Sequence, residues 1–302
     1  MIKAENLSKT FDGVPALTDL NLCVQKGSIY GLIGINGAGK TTVINLLAGI
    51  LKPDAGYVLM EGEPVYDNPP LKEKIGLISD ALWFPAGSSL NSLARVYSKI
   101  YRDWDQENFM EMISLFKLDT GKHLRSFSKG MKKQAAFALA LAAKPSCLLL
   151  DEPIDGLDPL VRKTVWGFIV DQVAERQMSV LISSHNLREL EGICDDIGIL
   201  HHGRMKLQQD LDAVKHSMHK VQISFGKEGC PKGLTDSLQI LHREQKGSVE
   251  LWVVRGSLQK IREVISASGG TPIVFDILPL TLEEIFIYEL GGADYAVKDI
   301  VL

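Results

Sequence analysis

The sequence predicts an α/β fold: a parallel β-sheet with helices on its faces, followed by a second, smaller α+β domain. Apolar runs of strand length alternate with periodic segments of ten or more residues, which is typical of parallel sheets covered by helices. The first such run, residues 28–34, leads through a glycine-rich stretch into a periodic segment at 41–51, which indicates a strand, a loop and a helix. A chain of 302 residues has room for about two domains.

The remaining elements follow in chain order. A Lys-Pro-Asp-Ala-Gly sequence ends the first helix and turns the chain toward two short strands, at 57–60 and 75–78. Between about 90 and 143 the periodicity is helical, with an apolar stripe from Leu90 to Trp104, and we expect this segment to be inserted in the sheet domain. Further elements are expected at 109–117, 132–143, 147–150, 159–176, 180–183, 187–194 and 197–200.

The last part of the chain starts a new pattern, which predicts a small α+β domain at 218–302. The larger domain is expected at 1–215, with its helical subdomain at about 85–145. The smaller domain could stabilise a dimer as an accessory domain, or it could bind a regulatory ligand. Its expected elements are strands at 221–225, 249–254 and 271–276 and helices at 258–267 and 282–290.

Composition and charge exclude several classes of protein. There are 33 basic and 37 acidic side chains, so the net charge of −4 argues against a generally basic surface, and no nucleic-acid partner is expected. The four cysteines form no Cys-x-x-Cys pair, which gives neither a disulfide scaffold nor a metal-ligand spacing. No secretory signal is visible and no apolar run reaches about 18 residues, so we expect a chain that does not span a membrane but could bind a protein that does.

A phosphate-binding loop is the most specific motif. Residues 34–41, GINGAGKT, fit the pattern Gly-x-x-x-x-Gly-Lys-Ser/Thr, in which backbone N–H groups and a helix N-terminus surround phosphates. Lys40 would reach the β and γ phosphates, and the Thr41 hydroxyl would ligate Mg²⁺. A strand before the motif and a helix after it favour this interpretation over a flexible glycine loop. The expected nucleotide-binding residues here are Asn36, Gly37, Ala38, Gly39, Lys40, Thr41 and Thr42.

Two acidic residues end a later apolar strand. Asp151 and Glu152 follow the run Cys-Leu-Leu-Leu. Asp151 would reach Mg²⁺, directly or through water, and Glu152 would activate a water molecule against the γ phosphate as a general base. Two acids at the end of a strand are by themselves a weak signal, because a solvated strand end has the same appearance. The phosphate loop upstream makes the catalytic interpretation the stronger one.

Three further positions can be explained either by local structure or by a nucleotide site. Ser128 can cap an Ala-rich helix, and Asp158 followed by Pro159 can begin another. His185 ends the next apolar strand, where a single histidine is often structural. Strand ends near a phosphate site are also where ligands bind in parallel sheets. The local explanations therefore stay open for each position taken alone.

Taken in order, these motifs resemble the ATP-binding-cassette (ABC) ATPases. The sequence of phosphate loop, signature, acidic strand end, aspartate loop and histidine matches that family over about residues 1–210. The resemblance implies a P-loop NTPase fold with a RecA-like core, a short antiparallel β piece and a helical subdomain. It also implies ATP and Mg²⁺ as cofactors, and a second ATPase subunit, identical or paralogous, arranged head to tail with two ATP molecules in between.

The resemblance also assigns roles outside the phosphate loop. Phe11 matches the aromatic residue that stacks on adenine, although it could instead pack in the core. His185 matches the histidine that contacts the γ phosphate, and Asp158 matches the aspartate that communicates across the dimer. The signature residues expected to contact the ATP of the other subunit are Ser128, Gly130 and Met131.

Two departures from the family pattern concern the site. The family usually has glutamine after the strand at 75–78, and here the position is Asp80, which is expected near Mg²⁺ and the attacking water. The signature is Phe-Ser-Lys-Gly-Met instead of Leu-Ser-Gly-Gly-Gln. Ser128 and Gly130 are kept, so the contact with phosphate should survive, while Lys129 adds a cation without an assigned role.

A narrower resemblance points to exporters. The Ser-Lys-Gly-Met signature, the pair Trp104-Asp105 and the tail sequence LTLEEIF at 280–286 look like bacterial ABC-2-type ATPases that serve bacitracin, antimicrobial-peptide and multidrug export. This implies two hydrophobic transmembrane subunits as partners and a place at the cytoplasmic face of the cell membrane. Trp83 and Phe84 could form the groove that receives a helix of such a subunit, or they could pack inside the helical subdomain.

Three other classes are less consistent with the sequence. Ribosome-acting ABC ATPases resemble two cassettes in one chain, whereas only one set of motifs is present here. DNA-repair and chromosome-organising ATPases need a long coiled coil between phosphate loop and signature, and no sustained heptads occur. P-loop kinases and GTPases do not need the signature or His185. A soluble ABC ATPase acting on ribosome or DNA remains the main alternative to a transporter subunit.

Overall fold

The computed structural model describes residues 1–185, 187–226, 229–231, 233–268 and 270–289. They divide into two compact units: one comprises 1–186 and 192–208, and the other comprises 187–191 and the chain from 209 onward. The division between 208 and 209 lies several residues before the expected boundary at 215 to 218. The short segment 187–191 joins the second unit although it lies between two strands of the first.

The first unit is built on a six-stranded sheet and a smaller antiparallel sheet. The strands are β1 (Ile2–Phe11), β2 (Val14–Val24), β3 (Ile29–Ile33), β4 (Ala55–Met60), β5 (Glu63–Pro64), β6 (Ile75–Ile78), β7 (Cys147–Asp151), β8 (Ser179–Ser184), β9 (Asp196–His201) and β10 (Arg204–Asp210). The strand order of the large sheet is β10-β9-β3-β8-β7-β6, and the neighbours among β9, β3, β8, β7 and β6 run parallel. The order of the small sheet is β2-β1-β4-β5.

The central strands of the large sheet are buried at every position, as expected for strands covered by helices on both faces. One hydrophobic cluster joins the two sheets, with Ile2 and Leu22 from the small sheet and Leu32 and Leu149 from the large one. The helices of this unit are α1 (Lys40–Leu47), α2 (Pro69–Lys72), α3 (Leu90–Ile100), α4 (Gln106–Phe116), α5 (Lys129–Ala142) and α6 (Pro159–Arg176).

Helices α3 to α5 form the helical segment that the sequence predicts between β6 and β7. The expected stripe does not continue as one helix to Trp104, because α3 ends at Ile100 and Tyr101 has an extended backbone. The aromatic spacing persists because the rings pack on each other: Trp104 lies 6.0 Å from Tyr97 and 5.3 Å from Phe109, between ring centroids. Asp105 then caps α4 by accepting a hydrogen bond from the Asn108 N–H.

The second unit is an antiparallel sheet of four strands packed with helices. Its elements are α7 (Leu187–Leu190), α8 (Leu211–Ser217), β11 (Met218–Ser224), β12 (Gln239–Lys246), β13 (Val249–Arg255), α9 (Leu258–Ala267), β14 (Val274–Leu278) and α10 (Leu282–Glu289). The strand order is β12-β13-β11-β14, and the core contains Trp252, Val221 and Ile261. The predicted helix at 187–194 is wrong in length, since it ends after four residues, shortly before Gly192.

The sequence also predicts a chain that does not span a membrane. Within the described residues, no helix combines the length and the apolar character that crossing a bilayer requires.

Candidate functional site

A cleft of about 310 Å³ lies at the carboxyl ends of β3, β6 and β7 in the first unit. This is the edge at which parallel sheets place their ligands, because loops from several strands converge there. The lining includes every residue of the phosphate loop and of the acidic strand end that the sequence predicts to contact phosphate or magnesium, except Ala38. The cleft is lined by Ala16, Ile35, Asn36, Gly37, Gly39, Lys40, Thr41, Thr42, Asp80, Asp151 and Glu152.

The glycine-rich loop has a backbone that glycine alone accepts easily. Gly37 and Gly39 have φ angles of 81° and 108°, in the left-handed region. A Cβ atom on Gly39 would come within 2.8 Å of Leu17 Cδ2, so the close approach of β2 also requires glycine. Gly39 caps α1 without a side-chain hydrogen bond. No side chain therefore caps the first N–H groups of α1, and these groups are available to bind an anion.

Lys40 is almost completely buried and directed along the loop. Its Nζ donates a 2.7 Å hydrogen bond to the Gly34 carbonyl and lies 3.3 Å from Glu152 Oε1. An ammonium group held at an anion-binding loop is a compact positive charge that can pair with the terminal phosphates of a nucleotide.

Thr41 and Asp151, the two residues of these motifs predicted to hold Mg²⁺, are joined by a direct hydrogen bond. Thr41 Oγ1 donates to Asp151 Oδ2 at 2.7 Å, and Ser183 Oγ donates to Asp151 Oδ1 at 2.6 Å. Asp151 is buried, and its carboxylate orientation is fixed on both oxygens. A hydroxyl and a carboxylate side by side are hard oxygen donors of the kind that Mg²⁺ prefers, so this pair fits that ion.

Glu152 occupies a constrained position between three polar groups. Its φ angle is 46°, in the left-handed region, and its N–H donates to Ser183 O and Ser183 Oγ, each at 3.2 Å. Its Oε2 lies 2.8 Å from His185 Nδ1, on the other side from Lys40. Asp155 offers a carboxylate oxygen within 4.8 Å of the same group. The carboxylate is thus held at the cleft while its side chain keeps 14% of its surface exposed, a geometry suited to a base that must meet water.

Asp80 lines the cleft from the end of β6, with about half of its side chain exposed. Its Oδ1 lies 3.7 Å from the Nζ of Lys133, which is a residue of α5 with no solvent-exposed surface. Burial lowers the pKa of Lys133 from the usual lysine value, and the nearby carboxylates of Asp80, Asp155 and Glu152 act in the opposite direction.

The signature and aspartate-loop residues do not line this cleft. Ser128 caps α5 by accepting from the Met131 N–H at 3.2 Å, and Asp158 caps α6. Helix α6 begins at the expected residue, whereas α5 begins at Lys129, three residues before the expected start at 132. Gly130 packs closely on the aspartate loop, since a Cβ there would lie 2.8 Å from the Gly156 carbonyl oxygen. Phe11 is exposed at the end of β1 and is not part of the lining either. Their contacts with nucleotide stay predictions.

Two contributors to the site were not among the predicted site residues. Ser183 orients both Asp151 and the Glu152 N–H, because the register of β7 and β8 places it opposite Asp151. A serine where an apolar strand ends was visible in the sequence, but its partner follows only from the strand order. Lys133 is the second, and nothing in the local pattern of α5 marks it as buried.

Comparison with known proteins identifies the family. Residues 17–155 match the family model described as ABC transporter. The ABC transporter ATP-binding protein YtrB of Bacillus subtilis (strain 168) is 33% identical over 292 residues, covering 97% of this chain and 99% of its own. The bacitracin transport ATP-binding protein BcrA of Bacillus licheniformis is 30% identical over 299 residues, covering 97% and 98%.

A solved structure agrees with these relatives. The structure of the ATP binding subunit of an ABC transporter superposes with a TM-score of 0.67 at 27% identity, covering 71% of this chain and 92% of that one. The P-loop fold predicted from the motifs is thereby confirmed. Together with the cleft that joins Lys40, Asp151 and Glu152, these matches establish that the chain belongs to the ABC transporter family as one of its ATP-binding, ATP-hydrolysing subunits.

Proposed function

We propose that the cleft hydrolyses ATP with Glu152 as the general base, and that this hydrolysis drives export through separate membrane subunits. The supporting observation is the position of the Glu152 carboxylate, with Oε1 3.3 Å from Lys40 Nζ and Oε2 2.8 Å from His185 Nδ1. A base within reach of the terminal phosphate can take a proton from an attacking water. The histidine holds the carboxylate from the side opposite the lysine and adds a contact for the γ phosphate.

The other cleft residues bind and orient the triphosphate. Backbone N–H groups of residues 36–39 and the start of α1 surround its phosphates, and Lys40 offsets their negative charge. Thr41, Asp151 and Asp80 are the residues that would hold Mg²⁺. That ion, when bound, stabilises charge on the phosphate oxygens. Asp80 also lies close enough to the cleft to orient the attacking water.

A second ATPase subunit completes each site in this proposal. The signature and aspartate-loop residues are displaced from the cleft of their own chain, which is the arrangement expected if they serve the ATP of a head-to-tail partner. Ser128 Oγ and the start of α5 then face that ATP, while Phe11 stacks on adenine in its own chain. The residues assigned to the partner-facing side are Ser128, Gly130, Met131 and Asp158.

The surface beside Asp80 suits a membrane subunit. A second cleft of about 160 Å³ is lined by Leu82, Trp83, Phe84, Tyr97 of α3 and Tyr101, which directly follows α3. Trp83 is 80% exposed, and an exposed tryptophan beside other aromatic side chains is typical of a protein interface. We propose that this cleft receives a helix of a hydrophobic transmembrane subunit at the cytoplasmic face of the membrane. The bacitracin relative supports a peptide or drug as the exported cargo.

The test is to recover the tagged full-length chain from detergent-solubilised native membranes and identify the bound proteins by mass. We expect a hydrophobic multi-span subunit in near-equal amount, and we expect Trp83→Ala to release it without changing ATP affinity. Ile50→Ala is the matched control, because Ile50 is also an exposed apolar residue of the same unit. Recovery of ribosomal or DNA-bound proteins alone would favour the soluble ABC ATPase instead.

A further inference from the structure

Lys133 is an exceptional residue of the first unit because its side chain has no exposed surface. Lysine is almost never fully buried unless its charge is paired. Here the Nζ donates a 2.5 Å hydrogen bond to the backbone carbonyl of Glu152 and lies 3.7 Å from Asp80 Oδ1. The buried ammonium group therefore joins the loop after β7 to the loop after β6.

The backbone of Glu152 needs such support. A left-handed φ strains a residue other than glycine, and it persists only where the surroundings enforce it. Ser183 holds the N–H of Glu152 through two oxygens. Lys133 holds the carbonyl of the same residue. With both of its backbone polar groups fixed, Glu152 directs its carboxylate toward Lys40 and His185.

We propose that Lys133 is a positioning residue for ATP hydrolysis: it fixes the backbone of Glu152 and links Asp80 to that backbone. The inference rests on the proposed roles of Glu152 and Asp80. It goes beyond them because Lys133 does not itself line the cleft. Its effect on hydrolysis passes through the two residues that its ammonium group contacts.

The alternative is that Lys133 only fills space in the core between α5 and β7. Methionine has a similar length and no charge, so in that case Lys133→Met would change folding stability and leave ATP turnover intact. The two possibilities differ in a second respect. A positioning lysine makes the effects of Lys133 and Asp80 depend on each other, whereas independent residues give effects that multiply.

The experiment measures kcat, KM and the dissociation constant for a fluorescent ATP analogue on the full-length chain. Lys133→Met, Asp80→Asn and the double variant are compared with wild type and with Lys132→Met, the neighbouring lysine of α5, which is partly exposed. We expect Lys133→Met to lower kcat at least tenfold with a dissociation constant within about threefold of wild type. The double variant should be no slower than Lys133→Met. Unchanged kcat in Lys133→Met, or effects that multiply in the double variant, would overturn the inference.

A second measurement covers the case in which Lys133→Met does not fold. Asp80 is half exposed, so Asp80→Asn removes the partner charge of Lys133 without disturbing the core. We expect amide hydrogen exchange of the segment 152–157 to become at least threefold faster in Asp80→Asn, while exchange in β3 stays unchanged. Equal exchange rates in that segment would contradict the link through Lys133.

Failure of the proposed function gives a different result. In that case Glu152→Gln hydrolyses ATP at the wild-type rate, whatever Lys133→Met does. Failure of the inference alone leaves Glu152→Gln inactive and Lys133→Met active.

Discussion

The two units of the chain differ in where their interacting polar side chains lie. In the first unit, buried polar side chains gather where parallel strands end, so that Asp151 and Ser183 contact each other at 2.6 Å with almost no exposed surface. In the second unit, an ion pair joins Arg243 and Glu250 across two antiparallel strands, and about half of the arginine side chain is exposed. The first arrangement concentrates chemistry at one edge. The second stabilises a sheet surface, and its core is apolar around Trp252.

The largest expected effect tests the chemistry of the first unit. Glu152→Gln should lower ATP turnover about 10²- to 10⁴-fold, because the amide cannot accept the proton of the attacking water. ATP binding should persist, and the subunit should accumulate as an ATP-bound dimer in size-exclusion chromatography. Glu175→Gln, an exposed glutamate on α6, is the matched control. Turnover near the wild-type level in Glu152→Gln would remove the proposed base.

The next effect tests whether the second unit has only a packing role. Trp252 is fully buried in its core and donates a 2.7 Å hydrogen bond from Nε1 to Glu250. Trp252→Ala should destabilise this unit by about 3–5 kcal/mol. Chemical denaturation of the full chain measures the loss, and ATP affinity measured below the transition should not change.

The exposed Trp83 provides the comparison for that variant. Trp83→Ala removes the same side chain at a position that is 80% exposed, so the free energy of unfolding should change little. A drop in ATP affinity in Trp252→Ala would show that the two units are energetically coupled. The second unit would then not have a packing role alone.

A smaller effect is expected at the phosphate loop. Lys40→Ala should weaken ATP binding about tenfold to a hundredfold, because hydrogen bonds to charged groups contribute about 1.5–3 kcal/mol each. Isothermal calorimetry at constant ionic strength gives the affinity. Lys52→Ala serves as the control, since Lys52 is exposed beyond the end of α1. Wild-type affinity in Lys40→Ala would contradict the assignment of the loop.

The smallest effect concerns the surface of the second unit. The hydrogen bond from Arg243 lowers the pKa of Glu250 from its usual value, with a further contribution from the Trp252 N–H, while burial opposes the shift. A lowered carboxyl pKa stabilises the fold above the pKa of the unfolded chain, and this contribution is lost as the pH falls through the folded-state value. Because the arginine is half exposed, we expect less than about 1 kcal/mol.

Glu250→Gln is the corresponding test. It should flatten the loss of stability as the pH falls below about 4.3, the ordinary pKa of glutamate, in denaturation of the full chain. Glu244→Gln, on the neighbouring strand and more exposed, should leave the pH dependence as it is in wild type. An identical acid dependence in Glu250→Gln would mean that the pair contributes nothing to stability.

Local motifs made much of the first unit predictable from the sequence. Contacts that depend on strand order and helix packing could not be predicted in this way. The loop at 34–41 is contiguous, so its residue types and spacing predict strand, loop and helix together. Ser183 and Lys133 reach the site only through strand order and helix packing, which a linear pattern does not contain. The apolar stripe predicted from Leu90 to Trp104 extends beyond the end of α3. Trp104 has the spacing of a helical position, but it is apolar because its ring packs on Tyr97 and Phe109.

The second unit was harder to predict for a different reason. Strand β12 was missed because it lies at the edge of its sheet, and its sequence QILHREQK is largely polar. Strand β14 begins at Val274 and not at 271, since Pro272 lacks the N–H that a ladder needs. Edge strands and strand starts carry weak hydrophobic patterns, whereas the buried strands of the first unit are mainly apolar and are polar chiefly near their ends.

The left-handed backbone of Glu152 has a consequence for how the protein tolerates change. Glycine adopts that conformation without strain, so Glu152→Gly should be neutral or stabilising in thermal unfolding even though it removes the carboxylate. Folding alone would therefore favour glycine at this position. The residue proposed as the general base is therefore one that strains the fold, which is a stability–activity trade-off confined to a single peptide unit.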